Sequence, residues 1–258
     1  MTYAINTLRK VIHLTGLRKP RHEQQSPFPP DFDEEAIEII QAVQPYTMTS
    51  IERIFSLIHA VRYVVQHNIK GDIVECGVWK GGSMLAIAKT LAQLNDYSRD
   101  LYLFDTFEGM TPPTEKDVIY NGEVASTLLE NSTKTDENSI WCYAPLESVK
   151  ATLNTAQYDS EKLHFIQGSV EETLPEQAPA TISILRLDTD WYESTRHELV
   201  HLFPRVSVGG VIIIDDYGYW QGSRLATDEY LKQNNIKLFL SRIDDSGRIG
   251  IKLPSHSD

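Results

Sequence analysis

The chain has 258 residues, 41% hydrophobic and 23% charged, the composition of an ordinary globular protein long enough to bury one α/β core. A formal net charge of −12 excludes general affinity for nucleic acid or anionic lipid, and no apolar run approaches the roughly 20 residues of a membrane helix. The opening residues lack the apolar core of a signal peptide, and Cys76 and Cys142 make no disulfide framework, so a reducing cytoplasmic location is expected.

Residues 1–22 carry Arg9, Lys10, Arg18, Lys19 and Arg21 before any acid, with Ile5, Leu8, Val11 and Ile12 near helical spacing. A basic amphipathic helix docking on an acidic surface, its own or a partner subunit's, is expected there, followed by a linker with four prolines. A helical pattern runs from Asp33 to Val43, and Ser50 is placed to cap a second helix through Gln66. Strands at 72–76, 101–105, 163–167, 182–188 and 210–216 then alternate with helices at 83–94, 146–153, 194–203 and 223–233. The run IKLFLSRIDDSGRIGIKL reads as a closing hairpin. Such alternation predicts a doubly wound α/β fold, mostly parallel, with an antiparallel strand added by the hairpin.

In such a sheet ligands bind beyond the carboxyl ends of the strands. Those ends hold Glu75 and Gly77, Asp105, Gly168 and Ser169, Asp188 and Asp190, Asp215 and Asp216. One aspartate at a strand end is ordinarily a turn or cap residue. Several acids crowding one edge repel one another unless a cation offsets them. The turn VECGVWKGGS is neither a dinucleotide fingerprint nor a phosphate loop, but its glycines let a ligand approach the backbone. Asp105 stands where doubly wound folds place the acid that grips ribose hydroxyls. Arg186, on the side of Asp188, is expected to offset buried negative charge.

The segments ECGVWKGGS, YLFDTFEGMTPP, LRLDTDWYEST and VGGVIIIDDYGYWQG resemble the macrocin O-methyltransferase (TylF-type) family over roughly residues 45–253. The resemblance implies a seven-stranded Rossmann-like methyltransferase sheet and a reaction dependent on S-adenosylmethionine and Mg²⁺, moving a methyl group to a sugar hydroxyl, often on a glycosylated natural product. It further implies that Thr47, Met48, Thr49 and Ser50 lie along the methionine part of the cofactor. Glu75, Gly77 and Ser83 would hold its amino and carboxylate ends, Asp105 its ribose, and Gly168 and Ser169 its adenine. Asp188, Asp215 and Asp216 match the metal ligands, and Asp190 the general base. Trp191 departs from an aliphatic position of the family. Residues 1–45 are then an N-terminal helical and linker region, serving as lid or dimer contact, ahead of a methyltransferase domain at 46–258. A homodimer or higher homo-oligomer is expected.

On an extended strand Asp188 and Asp190 would project to one side, about 6.6 Å apart along the chain, with Thr189 as a spacer. One would bind the ion and the other take a proton. Tyr219 and Trp220 are candidates to stack on a sugar face, while His197 and His201 lack the intervening Glu of a zinc pair. The polar insertion 108–141 is too long for a plain connection and is expected to cover the cofactor as a lid. Two alternatives stay open: a D-x-D metal-dependent glycosyltransferase, and a methyltransferase for small phenols.

Overall fold

The computed structural model describes residues 27–136 and 139–254. The basic segment 1–22 lies outside them. Residues 27–33 belong to a separate N-terminal unit and form a short turn, closed by the Phe32 N–H on the Pro29 carbonyl at 3.1 Å.

Residues Glu34–Asp258 form one compact unit. It begins with helices α1 (Glu34–Val43) and α2 (Ile51–Gln66). Ser50 caps α2, its Oγ accepting the Arg53 N–H at 3.2 Å, a contact of about 1 kcal/mol. The alternating part follows: β1 (Asp72–Cys76), α3 (Gly82–Gln93), β2 (Leu101–Asp105), α4 (Ala125–Glu130), α5 (Leu146–Leu153), β3 (Leu163–Gln167) and α6 (Val170–Thr173). Then come β4 (Ile182–Leu187), α7 (Tyr192–Leu202), β5 (Val206–Ile214), α8 (Gln221–Gln233), β6 (Ser241–Arg242) and β7 (Arg248–Ile251).

The seven strands form one sheet in the order β3-β2-β1-β4-β5-β7-β6. The first five run parallel, β7 runs against β5, and β6 runs against β7. All six residues of β4 are buried, as a strand covered on both faces requires. The strand order reverses between β1 and β4, which opens a crevice at their carboxyl ends, and the site lies there.

Several boundaries differ from the sequence reading, three of them in the strands. β5 starts four residues early, at Val206, because the Gly209–Gly210 pair sits in a bulge within the strand instead of a loop before it. β4 stops at Leu187, so Asp188 already lies outside the ladder. In the closing hairpin only Ser241 and Arg242 pair with β7; Ile236 and Leu238 turn onto the main core instead of continuing the strand. The alternation of IKLFL reflects burial without a ladder.

Candidate active site

A cavity of about 740 Å³ opens beyond the carboxyl ends of the parallel strands. Thr47, Met48 and Thr49 form one wall ahead of α2, and Gly77 and Ser83 come from the turn after β1. Asp105 follows β2; Gly168 and Ser169 follow β3. Asp188, Asp190, Asp215 and Asp216 line the opposite side. Two of the residues singled out in the sequence do not reach the wall. Ser50 turns away, donating from Oγ to Asp244 Oδ2 at 2.6 Å. Glu75 lies beneath the floor, 1% exposed, against Arg186.

The turn after β1 needs its glycine. Gly77 has φ +82, and a Cβ there would lie 2.0 Å from the Asp188 carbonyl oxygen. The two loops cross that closely because the Asp188 N–H donates to Cys76 O at 2.8 Å. Asp105, at the cavity wall, is held by its own turns. Its Oδ2 accepts the Val78 and Trp79 N–H groups at 2.6 and 3.0 Å, and Oδ1 accepts the Phe107 N–H at 2.7 Å. Burial raises its pKa, and those three N–H groups oppose the rise.

Of the acids after β4 and β5, Asp188 and Asp215 are held by guanidinium groups. Arg186 Nη1 contacts Asp188 Oδ2 at 2.5 Å and also Glu75 Oε1, while Nη2 reaches Asp215 Oδ1 at 2.6 Å and Thr49 Oγ1 at 3.1 Å. Arg53 pairs with Asp215 Oδ2 through Nη1 and with Asp244 Oδ2 through Nε. Two cations therefore face five carboxyl groups, those of Glu75, Asp188, Asp215, Asp216 and Asp190. Burial pushes Asp188 and Asp216 well above the usual carboxylate range; Arg186 opposes this for Asp188, and the neighbouring acids Asp190 and Asp215 add to it for Asp216. Glu75 rises to about 7 by burial, against the pull of Arg186.

Asp188, Asp215 and Asp216 each present an oxygen within 4.8 Å of the others'. Asp216 Oδ2 is buried without a hydrogen-bond partner. Three converging carboxylates with one oxygen unmatched suit a hard divalent cation such as Mg²⁺. The donor set fits.

Asp190 does not sit on an extended strand as the spacing suggested. Its φ is +68, a left-handed backbone that costs an ordinary residue about 1–2 kcal/mol and that Asp tolerates better than most. The turn comes about because β4 has ended and the chain must enter α7 within four residues. Asp190 still faces the cavity; burial lifts its pKa to about 7, opposed by hydrogen bonds to Asp216 and the Trp220 side chain. Thr189 is more than a spacer, since its Oγ1 donates to Glu198 Oε1 at 2.8 Å.

The insertion closes the far wall through Met110, Ile119, Leu128 and Ile140. It shares a small apolar cluster with Trp191 and Trp220, whose rings meet edge to face at 4.8 Å. The Trp191 indole is 2% exposed and donates to Thr111 O at 2.9 Å. Trp191 therefore fastens the insertion to the acid loop and shapes no pocket surface. Both Tyr219 and Trp220 border the cavity; Trp220 is 3% exposed and offers a sugar little surface, whereas Tyr219, 41% exposed, offers a face. The sequence reading missed Arg53, Asp117 and Glu198. Only Arg53 left a trace, three residues after a capping serine.

The sequence matches the macrocin O-methyltransferase (TylF) family over residues 4–249. The chain belongs to that family. Among its relatives, the 8-demethyl-8-(2,3-dimethoxy-alpha-L-rhamnosyl)-tetracenomycin-C 4'-O-methyltransferase of Streptomyces olivaceus is 33% identical over 78% of this chain and 74% of its own. Demethyldecarbamoylnovobiocin O-methyltransferase of Streptomyces niveus is 33% identical over the same shares. The structure of the O-methyltransferase NovP superposes with a TM-score of 0.69 at 28% identity, covering 81% of this chain and 83% of that one. This TylF-family chain is an O-methyltransferase, and its Asp-Thr-Asp is not the D-x-D of a glycosyltransferase. No helix among its described residues is long and apolar enough to cross a membrane.

Proposed function

We propose that the protein transfers the methyl group of S-adenosylmethionine to a hydroxyl of a sugar borne by a natural product, with a divalent cation at Asp188, Asp215 and Asp216 and with Asp190 as the base. The observation that carries this is the meeting of two half-sites in one cavity: the glycine turn, Asp105 and Gly168–Ser169 on one side, and four aspartates on the other. The names of the relatives, a rhamnosyl tetracenomycin and a novobiocin methyltransferase, support the acceptor class. The methyltransferase fold supports the cofactor.

The glycine turn leaves backbone open to a ligand, and Ser83 at the start of α3 stands where free helix N–H groups favour a carboxylate. Asp105 holds the turns after β1 and β2 in mutual register. A sulfonium methyl is already activated, so the resistant partner is the sugar hydroxyl. When bound, a divalent cation would supply charge that lowers the pKa of that hydroxyl. Asp190, with its own pKa near 7, then holds a carboxylate able to take the proton at neutral pH. The insertion excludes water from that side of the cavity through its apolar wall.

The test is methyl transfer from S-adenosylmethionine with and without Mg²⁺. The acceptors are methyl α-L-rhamnoside, the 8-demethyl-8-(2,3-dimethoxy-alpha-L-rhamnosyl)-tetracenomycin C and demethyldecarbamoylnovobiocin, with catechol as the control. Methylation that EDTA abolishes and Mg²⁺ restores is expected. Turnover indifferent to EDTA would remove the cation from the reading, and methylation only of a catechol would remove the sugar.

A further inference from the structure

Two acids outside the cavity are buried as deeply as any inside it. Asp117, in the insertion, and Glu198, midway along α7, both have no exposed surface, and neither lines the cavity. A buried carboxyl loses hydration that partners must replace; both oxygens of Asp117 have partners, whereas Glu198 is held through Oε1 and its Oε2 has no hydrogen-bond partner. Asp117 Oδ1 accepts the N–H of Tyr192 at 2.7 Å, while Oδ2 accepts the Thr114 N–H and hydroxyl at 2.7 and 2.9 Å. Tyr192 is the first residue of α7, and the side chain at the N-cap, Trp191, gives the helix no cap. Asp117 supplies from the insertion what the helix lacks locally. Gly222 makes room for it: a Cβ there would lie 2.0 Å from Asp117 Oδ1. On the other side of Asp190, the Thr189 hydroxyl donates to Glu198 Oε1 at 2.8 Å.

We propose that Asp117 and Glu198 are positioning residues that grip the Asp188–Asp190 loop from both sides and hold Asp190 in its left-handed turn, facing the cavity. A backbone in that region persists only where its surroundings over-determine it. Here the residue before Asp190 is tied to the body of α7, and the residue two positions after it is tied to the insertion. The insertion thereby sets the aim of the base as well as covering the cavity. This inference rests on the reading of Asp190 as the base.

The test compares the full-length wild type with Asp117→Ala, Glu198→Ala, Glu198→Gln and Thr189→Val. Hydrogen exchange of residues 188–193, binding of S-adenosylhomocysteine, and kcat and KM are measured on whichever of the three acceptors above the wild type methylates. The alanine variants and Thr189→Val should exchange faster over 188–193 and lose roughly 10²-fold in kcat. Their affinity for S-adenosylhomocysteine and KM for S-adenosylmethionine should stay within about threefold. Glu198→Gln, whose carbonyl still accepts from Thr189, should keep kcat within about threefold. The two alanine changes combined should cost less than the product of their separate factors, since they hold one loop. Should Glu198→Ala fail to fold, Thr189→Val removes the same contact by one hydroxyl; should Asp117→Ala fail, Asp117→Asn, which offers an oxygen to only one of Tyr192 and Thr114, takes its place. Unchanged exchange, or unchanged kcat in a variant that binds S-adenosylhomocysteine, overturns the inference. Faster exchange in an enzyme whose wild type methylates none of the acceptors upholds the clamp and sinks the acceptor reading instead.

Discussion

The acids after β2 and those after β4 and β5 line one cavity yet are satisfied in opposite ways. Asp105 is enclosed by three backbone N–H groups of its own turns. Asp188 and Asp215 are held by the side chains of Arg53 and Arg186. An acid held by backbone is part of the shape of the loop and moves only with it. An acid held by arginine keeps oxygens that another cation can claim. The contrast separates a half-site built as architecture from one built as charge.

The sharpest break between the halves is expected at Asp190. Asp190→Asn should lower turnover about 10²- to 10⁴-fold with Mg²⁺ affinity kept in calorimetry, whereas Asp188→Asn should lose both. Loss of Mg²⁺ binding in Asp190→Asn would make it a ligand and redraw the site. Next is Arg186→Met, which strands Glu75, Asp188 and Asp215 in the interior. A loss of about 3–5 kcal/mol in urea unfolding is expected. Arg53→Met should cost less, because the Arg53 side chain is 16% exposed and Asp244 is left near the surface. Equal costs would mean that the two arginines share one load.

On the architectural side, Asp105→Asn turns an amide toward the Val78 and Trp79 N–H groups. It should lose about 1–3 kcal/mol of stability and weaken S-adenosylhomocysteine binding in step. Weaker binding with stability unchanged would give Asp105 to the ligand instead of the turn.

A smaller effect tests burial through pH. Burial raises the pKa of Glu198 well above its ordinary value. The folded chain therefore holds a proton that the unfolded chain releases above about pH 4.3, and stability declines as pH climbs from there toward the folded pKa. Glu198→Gln lacks that decline, so its melting temperature should gain on the wild type as pH rises above about 4.3. A constant gap would show Glu198 to be charged when folded. Smallest of all, breaking the exposed Lys150–Glu147 pair should change stability by under about 0.5 kcal/mol.

Periodicity alone located the parallel strands and α5, because each buries a continuous apolar face and ends in turn chemistry. The acidic strand ends were equally plain, since charge has little other reason to interrupt runs such as VIIIDD. What the sequence hid depends on partners far along the chain. Tyr192 starts α7 two residues early because Asp117, 75 positions away, caps it. Thr189 looked like spacing because Glu198 is one of many helix acids until its burial is known. Ser50 read correctly as a cap, yet its hydroxyl also serves Asp244 and does not face the cavity.

The fit of Asp117 beside Gly222 has a practical consequence for redesign. The insertion looks like a detachable module whose exchange between relatives would carry acceptor preference with it. Because its buried carboxyl reaches into the backbone of two loops, a graft onto a host with any side chain at position 222 would collide before it met a substrate. The transferable unit is the insertion together with the starts of α7 and α8, and a chimera that respects those three seams keeps the joint between Asp117, Tyr192 and Gly222 whole.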